Sequence, residues 1–256
     1  MHPSEHNAPQ AAPRPPPLLQ AAYLSYGIYT WIVFTTCALS TVVAVLLLPT
    51  LNLRRTAARR AARLFLALTG MRLNVSGEAN LPAAQCVVVA NHASYLDGVV
   101  MKAALPPRFG YVVKREMNGV PMAGLMLRRI GTEFVERFDR HKGASDARRV
   151  LRTAASGHSL VFFPEGTFHP EPGLHKFHTG AFATAARANC AVIPAVIRGT
   201  RAMLPGSRAL PRWGTIDVEL LPAITPTDDS PDRAAVELRD RSRAAILERL
   251  DEPDAG

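Results

Sequence analysis

The sequence predicts an α/β protein, a layered mixed sheet flanked by helices, with a membrane-embedded helical segment in front of it. Three observations carry this. From Met71 onward, short apolar β-rich runs alternate with longer helical patterns, the signature of a sheet layered with helices. Between Pro15 and Leu53 no Asp, Glu, Lys, Arg or His occurs. Immediately after that gap come Arg54, Arg55, Arg59, Arg60 and Arg63.

In chain order, residues 1–17 are rich in Pro and Ala and read as a disordered tail. Residues 18–70 form a membrane module. Its stretch from Tyr23 to Leu48 is almost wholly apolar or aromatic, and about 20 such residues suffice to cross the hydrocarbon core as a helix. A spanning helix and a bent re-entrant pair fit equally. The run is too long for the apolar part of a signal peptide and is followed by no clean small-x-small site. The arginines behind it are of the kind retained on the cytoplasmic side. They interleave with Leu64, Phe65, Leu66 and Leu68, so this segment can also lie in the interface on anionic lipid.

Residues 71–256 are read as the catalytic domain. Strands are predicted at Leu73–Ser76, Cys86–Ala90, Phe109–Val113, Glu133–Glu136, Leu160–Phe163, Val192–Ile197 and Thr215–Leu220. Helices are predicted near Leu96–Ala104, Met122–Arg129, Ser145–Ser156, Ala181–Ala188 and Asp232–Leu250. The last carries a solvated charge pattern and reads as a surface helix without a catalytic role.

Lys and Arg number 30 against 21 Asp and Glu, a formal charge of +9, which implies a polyanionic partner or surface. Nucleic acid is disfavoured, because the arginines cluster beside an apolar segment and no recognition motif appears. Cys37, Cys86 and Cys190 stand far apart. With no Cys pair or Cys/His pairing, neither a disulfide framework nor a zinc site is supported, and a reducing compartment fits.

Two segments carry chemistry. The first is Val87-Val88-Val89-Ala90-Asn91-His92, followed by Asp97. Residues five apart on one regular helix differ by about 140° and cannot meet. They can meet if His92 lies in the turn before a helix and Asp97 in its first turns. Asp97 would then fix the imidazole tautomer and leave the other nitrogen to take a proton. His141 and Asp146 share the spacing but lie in a charged stretch with no apolar strand before them, so spacing alone does not specify a site. The second segment is Phe162-Phe163-Pro164-Glu165-Gly166-Thr167, a strand ending in a turn where a carboxylate and backbone N–H groups can face a ligand.

Together these segments resemble the lysophosphatidic acid acyltransferase (glycerolipid acyltransferase) family. Asn91-His92 with Asp97 is similar to its first motif, and Gly131-Thr132-Glu133-Phe134-Val135-Glu136-Arg137 to its second. Phe163-Pro164-Glu165-Gly166-Thr167 is similar to the third, and Val192-Ile193-Pro194-Ala195 to the fourth. Lys114-Arg115-Glu116 with Pro121 and Gly124 resembles the lysine-bearing segment between the first two, and Lys176-Phe177-His178-Thr179-Gly180-Ala181-Phe182 a segment after the third. The resemblance covers about residues 70–220.

It implies transfer of a fatty acyl chain from a thioester, acyl-CoA or acyl carrier protein, to the free hydroxyl of a lysophospholipid. The best single acceptor is 1-acylglycerol-3-phosphate. His92 is the general base and Asp97 its orienting partner. Lys114, Arg137 and Lys176 hold phosphate, Glu165 and Thr167 position the glycerol end, and backbone near Gly166 supplies oxyanion donors. No cofactor and no metal are expected, since no carboxylate or thiol with ligand spacing joins His169, His175 and His178. The expected location is the cell inner membrane, with the catalytic domain cytoplasmic.

One position departs from the pattern. The family commonly carries arginine after the threonine of the third motif, where this chain has Phe168. A charge-assisted contact there contributes about 1.5–3 kcal/mol. Its loss leaves open an acceptor lacking the usual phosphate contact. A lipid hydrolase is the alternative of another class. Ser94 follows His92 by two residues but lacks the Gly-x-Ser-x-Gly setting of a nucleophile turn.

Overall fold

The computed structural model describes residues 16–136 and 140–256, with the side chains of 140–144 also outside the description. The expected tail falls almost wholly outside it. Helix α1 spans Pro17–Leu47 and α2 spans Leu51–Leu68. Pro49 cannot continue a helix, and the Thr50 hydroxyl caps α2 by accepting the Leu53 N–H at 3.3 Å. The two helices fold back antiparallel. Tyr26 donates to the Thr69 carbonyl at 2.9 Å, Tyr29 to Leu68 at 2.9 Å, and Phe34 meets Phe65 edge-on at 5.6 Å.

α1 is long and apolar enough to cross a membrane, yet it lies along the α/β layers. Near one end the Arg212 guanidinium lies 4.1 Å over the Tyr23 ring, and at mid-helix Trp31 donates to the Ala209 carbonyl at 2.8 Å. Near the other, Arg129 donates to the carbonyls of Val45 and Leu46, both at 3.1 Å. The arginines of α2 also differ from the expectation of a free cationic face. Arg54 donates to Leu48 and Pro49, Arg63 to Ala103, and the buried Arg55 to Ile130, Arg108 and Gly131. Most of these carbonyls lie at helix C-termini, which carry partial negative charge and lack intrahelical partners. Arg60 remains exposed.

The strands are β1 (Arg72–Ser76), β2 (Cys86–Ala90), β3 (Gly110–Lys114), β4 (Glu133–Val135), β5 (Leu160–Phe162), β6 (Ala191–Arg198) and β7 (Thr215–Leu220). They form one mixed sheet in the order β1-β7-β6-β2-β5-β3-β4, with β6 and β7 antiparallel and the other neighbours parallel. Each lies within two residues of its predicted span.

Further helices are α3 (Asp97–Ala104), α4 (Ala123–Arg129), α5 (Arg140–Ala155), α6 (Gly180–Arg187), α7 (Thr200–Met203) and α8 (Pro231–Arg249). Alternation along β2 divides the core. Cys86, Val88 and Ala90 pack with Phe65, Val100 and Met101 on one face, and Val87 and Val89 with Phe177, Phe182 and Leu238 on the other. Burial of both faces is why this central strand reads as an unbroken apolar run. α8 follows its predicted span but buries Leu238 and Ile246 completely.

Candidate active site

In a parallel sheet, loops leaving the C-terminal ends of neighbouring strands meet at one edge. β2 and β5 are neighbours, with Val87 opposite Leu160 and Val89 opposite Phe162. The turns that follow them, Asn91-His92 and Phe163-Pro164-Glu165-Gly166, therefore arrive together. Asn91 anchors the first turn, donating to the Ile197 carbonyl at 2.9 Å and accepting the Ile197 N–H at 2.7 Å. Gly166, at φ 85°, closes the second by donating its N–H to the Phe163 carbonyl at 3.0 Å.

His92 lies in the turn and Asp97 is the first residue of α3, so the pair meets as the sequence required. Nδ1 of His92 is 2.8 Å from Oδ2 of Asp97. The same oxygen accepts the N–H groups of Ala93 at 2.7 Å and Ser94 at 2.8 Å. Asp97 is fully buried while the His92 side chain keeps 19% of its surface. A carboxylate fixed by two backbone donors can only accept from the ring, so Nδ1 carries the hydrogen and Nε2 is left as the proton acceptor. Ser94 is no nucleophile: its buried hydroxyl donates to the Leu204 carbonyl at 2.7 Å.

Glu165 meets main chain on both sides. It is buried, and both oxygens are occupied by main chain: Oε1 accepts the His92 N–H at 2.6 Å and Oε2 the His175 N–H at 3.0 Å. It braces the turn that carries His92 against the loop that carries His175. Burial pushes its carboxyl up to about 7, against the two backbone N–H bonds and Arg201. The Gly166 N–H itself is spent inside its turn. The N–H of Thr167, the next residue, has no acceptor among the described residues.

Lys114 ends β3 half-buried on the same sheet edge and makes no hydrogen bond among the described residues. Lys176 is exposed on the loop before α6. Arg137 lies outside the described residues. Buried Asp146 accepts the Glu136 N–H at 2.8 Å and pairs with Arg115 at 2.6 Å and Arg149 at 2.8 Å. That network occupies the acid of the second His/Asp spacing.

Phe163 stacks on His92 with ring centroids 4.4 Å apart, and Phe168 meets the imidazole edge-on at 4.9 Å and Tyr95 at 4.6 Å. Phe163 and Tyr95 also line a cavity of about 320 Å³ between α1, α2, α3, β3 and α4. Its walls are apolar except for a few groups such as Lys102, whose ammonium lies 4.1 Å over the Tyr111 ring and is pushed down to about 7 by burial. His169 and His175 stack at 4.0 Å. Among the described residues, no group of three His, Cys, Asp or Glu is arranged to hold a metal ion.

Three contributions escaped the sequence: Asn91 as an anchor, Phe163 as a platform for His92, and Arg201 and Glu252 behind the third motif. Nothing in local spacing marks the last pair.

Residues 72–198 match the family model Acyltransferase. The chain is 31% identical over 150 residues to the chloroplastic 1-acyl-sn-glycerol-3-phosphate acyltransferase LPAT1 of Arabidopsis thaliana, covering 57% of this chain and 42% of that one. It is 31% identical over 182 residues to the human 1-acyl-sn-glycerol-3-phosphate acyltransferase alpha, covering 70% and 64%. It is 35% identical over 152 residues to the lyso-ornithine lipid O-acyltransferase of Pseudomonas aeruginosa, covering 58% and 55%. The chain thus spans about half the length of the curated relatives it matches. Its fold is shared with the 1-acyl-sn-glycerophosphate (LPA) acyltransferase PlsC of Thermotoga maritima, at TM-score 0.74 and 18% identity over 90% of this chain and 97% of that one.

Proposed function

The chain belongs to the acyltransferase family, and from that premise we propose that it moves a fatty acyl chain from a thioester to the free hydroxyl of a lysophospholipid. The observation that carries this is His92, locked by Asp97 through Nδ1 at 2.8 Å, with its ring stacked on Phe163, a wall of the apolar cavity. Nε2 takes the acceptor's hydroxyl proton as that oxygen attacks the thioester carbonyl. The tetrahedral intermediate collapses, the C–S bond breaks, and the departing thiolate receives the proton. Atoms balance without a cofactor. In this reading the Thr167 N–H donates to the developing oxyanion, and the cavity takes the acyl chain of the donor, acyl-CoA or acyl carrier protein. Lys114, Arg137 and Lys176 hold phosphate, so 1-acylglycerol-3-phosphate is the first acceptor to test.

A second acceptor class is favoured by Phe168, which lies 4.9 Å from His92 where the family pattern has a cation. An aromatic edge suits a lyso-lipid without phosphate, and one relative is named for lyso-ornithine lipid. Measured kcat/KM on lysophosphatidic acid, lysophospholipids with larger headgroups and lyso-ornithine lipid, each with one acyl-CoA, separates the readings. Activity on none of them, or release of free fatty acid at equal rates with and without acceptor, overturns acyl transfer.

For location we propose a monotopic seat on the cytoplasmic face of the inner membrane. From Tyr23, under Arg212, to Leu46, bonded by Arg129, α1 runs about 35 Å at its 1.5 Å rise. Spanning the roughly 30 Å core would put Arg212 and Arg129, parts of one α/β unit, on opposite sides. An in-plane helix avoids this, and its exposed Leu24, Ile28, Ile32, Leu39 and Val43 form the stripe that enters one leaflet.

A further inference from the structure

The carboxylate of Glu165 bridges two backbones, and the His92 end of that bridge belongs to the motif that performs the chemistry. The other end is His175, in a loop with no regular secondary structure between Phe168 and Thr179. Such a loop holds a carboxylate in place only if it is itself held.

Three elements hold it. Arg201 of α7 pairs with Glu252 by two parallel bonds, Nε to Oε1 at 2.8 Å and Nη2 to Oε2 at 2.9 Å. Its third nitrogen donates to the His169 carbonyl at 2.6 Å. Glu252 also accepts the Gly173 N–H at 2.7 Å. The segment around Glu252 then docks on the loop. Leu174 donates to the Pro253 carbonyl at 2.9 Å and accepts the Ala255 N–H at 3.1 Å. From α8, Arg243 donates to the carbonyls of Leu174 at 2.7 Å and His175 at 3.2 Å and pairs with Asp254. Both members of the Arg201–Glu252 pair are largely buried, at 14% and 18% exposure. A bidentate pair fixes direction as well as distance. Arg201, Arg243 and Glu252 all lie beyond the 72–198 match to the family model.

Arg201 is tied to the catalytic turn from the other side as well. It follows β6 by three residues, past Gly199 at φ 90°, and Asn91 grips β6 at Ile197. One arginine therefore couples both ends of the Glu165 bridge.

We propose that Arg201 and Glu252 are positioning residues for acyl transfer, acting through the loop 169–175 and Glu165 on the backbone of His92. This rests on the acyl-transfer reading of the same site. A displacement on the order of 1 Å at a catalytic group costs about 10²-fold in rate, so kcat is the quantity at risk.

The test compares full-length Arg201→Met, Glu252→Gln, the double variant and Arg201→Lys, with Arg198→Met as a control. Arg198 pairs with Glu219 at 3.0 Å on the same sheet and donates to the Arg249 carbonyl at 2.8 Å at the end of α8, with no bond to the loop 169–175. Steady-state kcat and KM for acyl-CoA and lysolipid, Tm, and the pH profile of kcat/KM are measured for each. The single variants should lose about 10- to 100-fold in kcat with KM for acyl-CoA little changed. The double variant should be no worse than the more damaged single one, and Arg201→Lys should recover part of the loss. The charged groups facing Glu165 are Asp97, Arg201 and Arg243, with the His92 and His175 backbones between them. Removing the Arg201 cation favours the protonated carboxyl, so the acid limb of the profile should move to higher pH in Arg201→Met. Arg198→Met should lower Tm without moving it.

A wild-type kcat and an unmoved limb in Arg201→Met and Glu252→Gln overturn the proposal, as does a matching shift in Arg198→Met. A wild-type protein that transfers no acyl chain overturns the underlying reading instead.

Discussion

The side chain of Glu165 accepts the backbone N–H of His92 at 2.6 Å. The acid of the third motif thus fixes the main chain of the first, and the two strands that deliver them are adjacent and in register. A carboxylate buried for that purpose is held away from its ordinary ionisation. Its value of about 7, against 4.5 in the open chain, has consequences for both stability and rate.

Between pH 4.5 and 7 the native protein keeps the Glu165 proton while the unfolded chain has released it. Stability therefore falls as pH rises through that window, by a contribution on the order of 3 kcal/mol. Glu165→Gln removes this titration. Its own deficit is the N–H left facing an amide, about 1–3 kcal/mol, and does not vary with pH. Urea midpoints at pH 5, 6, 7 and 8 should show the wild-type advantage over Glu165→Gln shrinking with rising pH. A constant advantage contradicts the raised carboxyl. In activity the sign reverses, because the ionised carboxylate accepts both N–H groups more strongly than the acid, whose hydroxyl oxygen is a weak acceptor. The wild-type kcat/KM should climb through about pH 7.

Asp97→Asn should cost more than its small change in shape suggests. Oδ2 meets the His92 ring and two backbone donors, and an amide nitrogen at that point would leave N–H facing N–H. An amide oxygen there keeps the geometry but no longer stabilises an imidazolium. kcat should fall about 10²–10⁴-fold, the range of general-base catalysis, with KM little changed. His92→Ala should fall at least as far, and a loss of less than about tenfold would remove it from the mechanism.

The sheet was legible because its strands are short, apolar and bounded by turns, and the His92–Asp97 meeting because a strand leads into the turn before α3. Two kinds of feature were not. Glu165 looked like a ligand contact because sequence shows a carboxylate in a turn but not which N–H groups lie opposite it. The arginines of α2 looked like a lipid-facing cluster because their acceptors are carbonyls of Arg108, Ile130 and Gly131, distant in sequence. Charge content is local, while the acceptors that satisfy its N–H groups are set by tertiary packing. The Arg201–Glu252 pair, 51 residues apart, was invisible for the same reason.

If α1 lies in the interface, its exposed stripe controls membrane binding and its buried stripe controls folding. Ile28→Asp with Ile32→Asp, both on the exposed face, should release the protein from vesicles while leaving Tm nearly unchanged. Val33 and Cys37, packed against the core, should do the opposite when replaced by Asp. Co-sedimentation with anionic and neutral vesicles also weighs the arginines. Since Arg54, Arg55 and Arg63 are occupied by carbonyls, binding should weaken only modestly in high salt. A collapse of binding in salt would restore the cationic-face reading.

Phe168→Arg tests the acceptor. Phe168 contacts both His92 and Tyr95, so an arginine in its place puts a guanidinium within reach of the reacting end of the acceptor. If phosphate passes there, a charge-assisted contact of about 1.5–3 kcal/mol raises kcat/KM for lysophosphatidic acid by about 10- to 100-fold. The gain should appear as a lower acceptor KM, because the anchored group does not react. Activity on a phosphate-free lyso-lipid should fall in the same variant, since the aromatic edge is lost and a charge is left without a partner. Arg137→Ala should raise the KM for lysophosphatidic acid and leave the phosphate-free lipid untouched. If Phe168→Arg instead lowers both activities equally, the ring serves only to hold His92, and the acceptor is chosen elsewhere on the sheet edge.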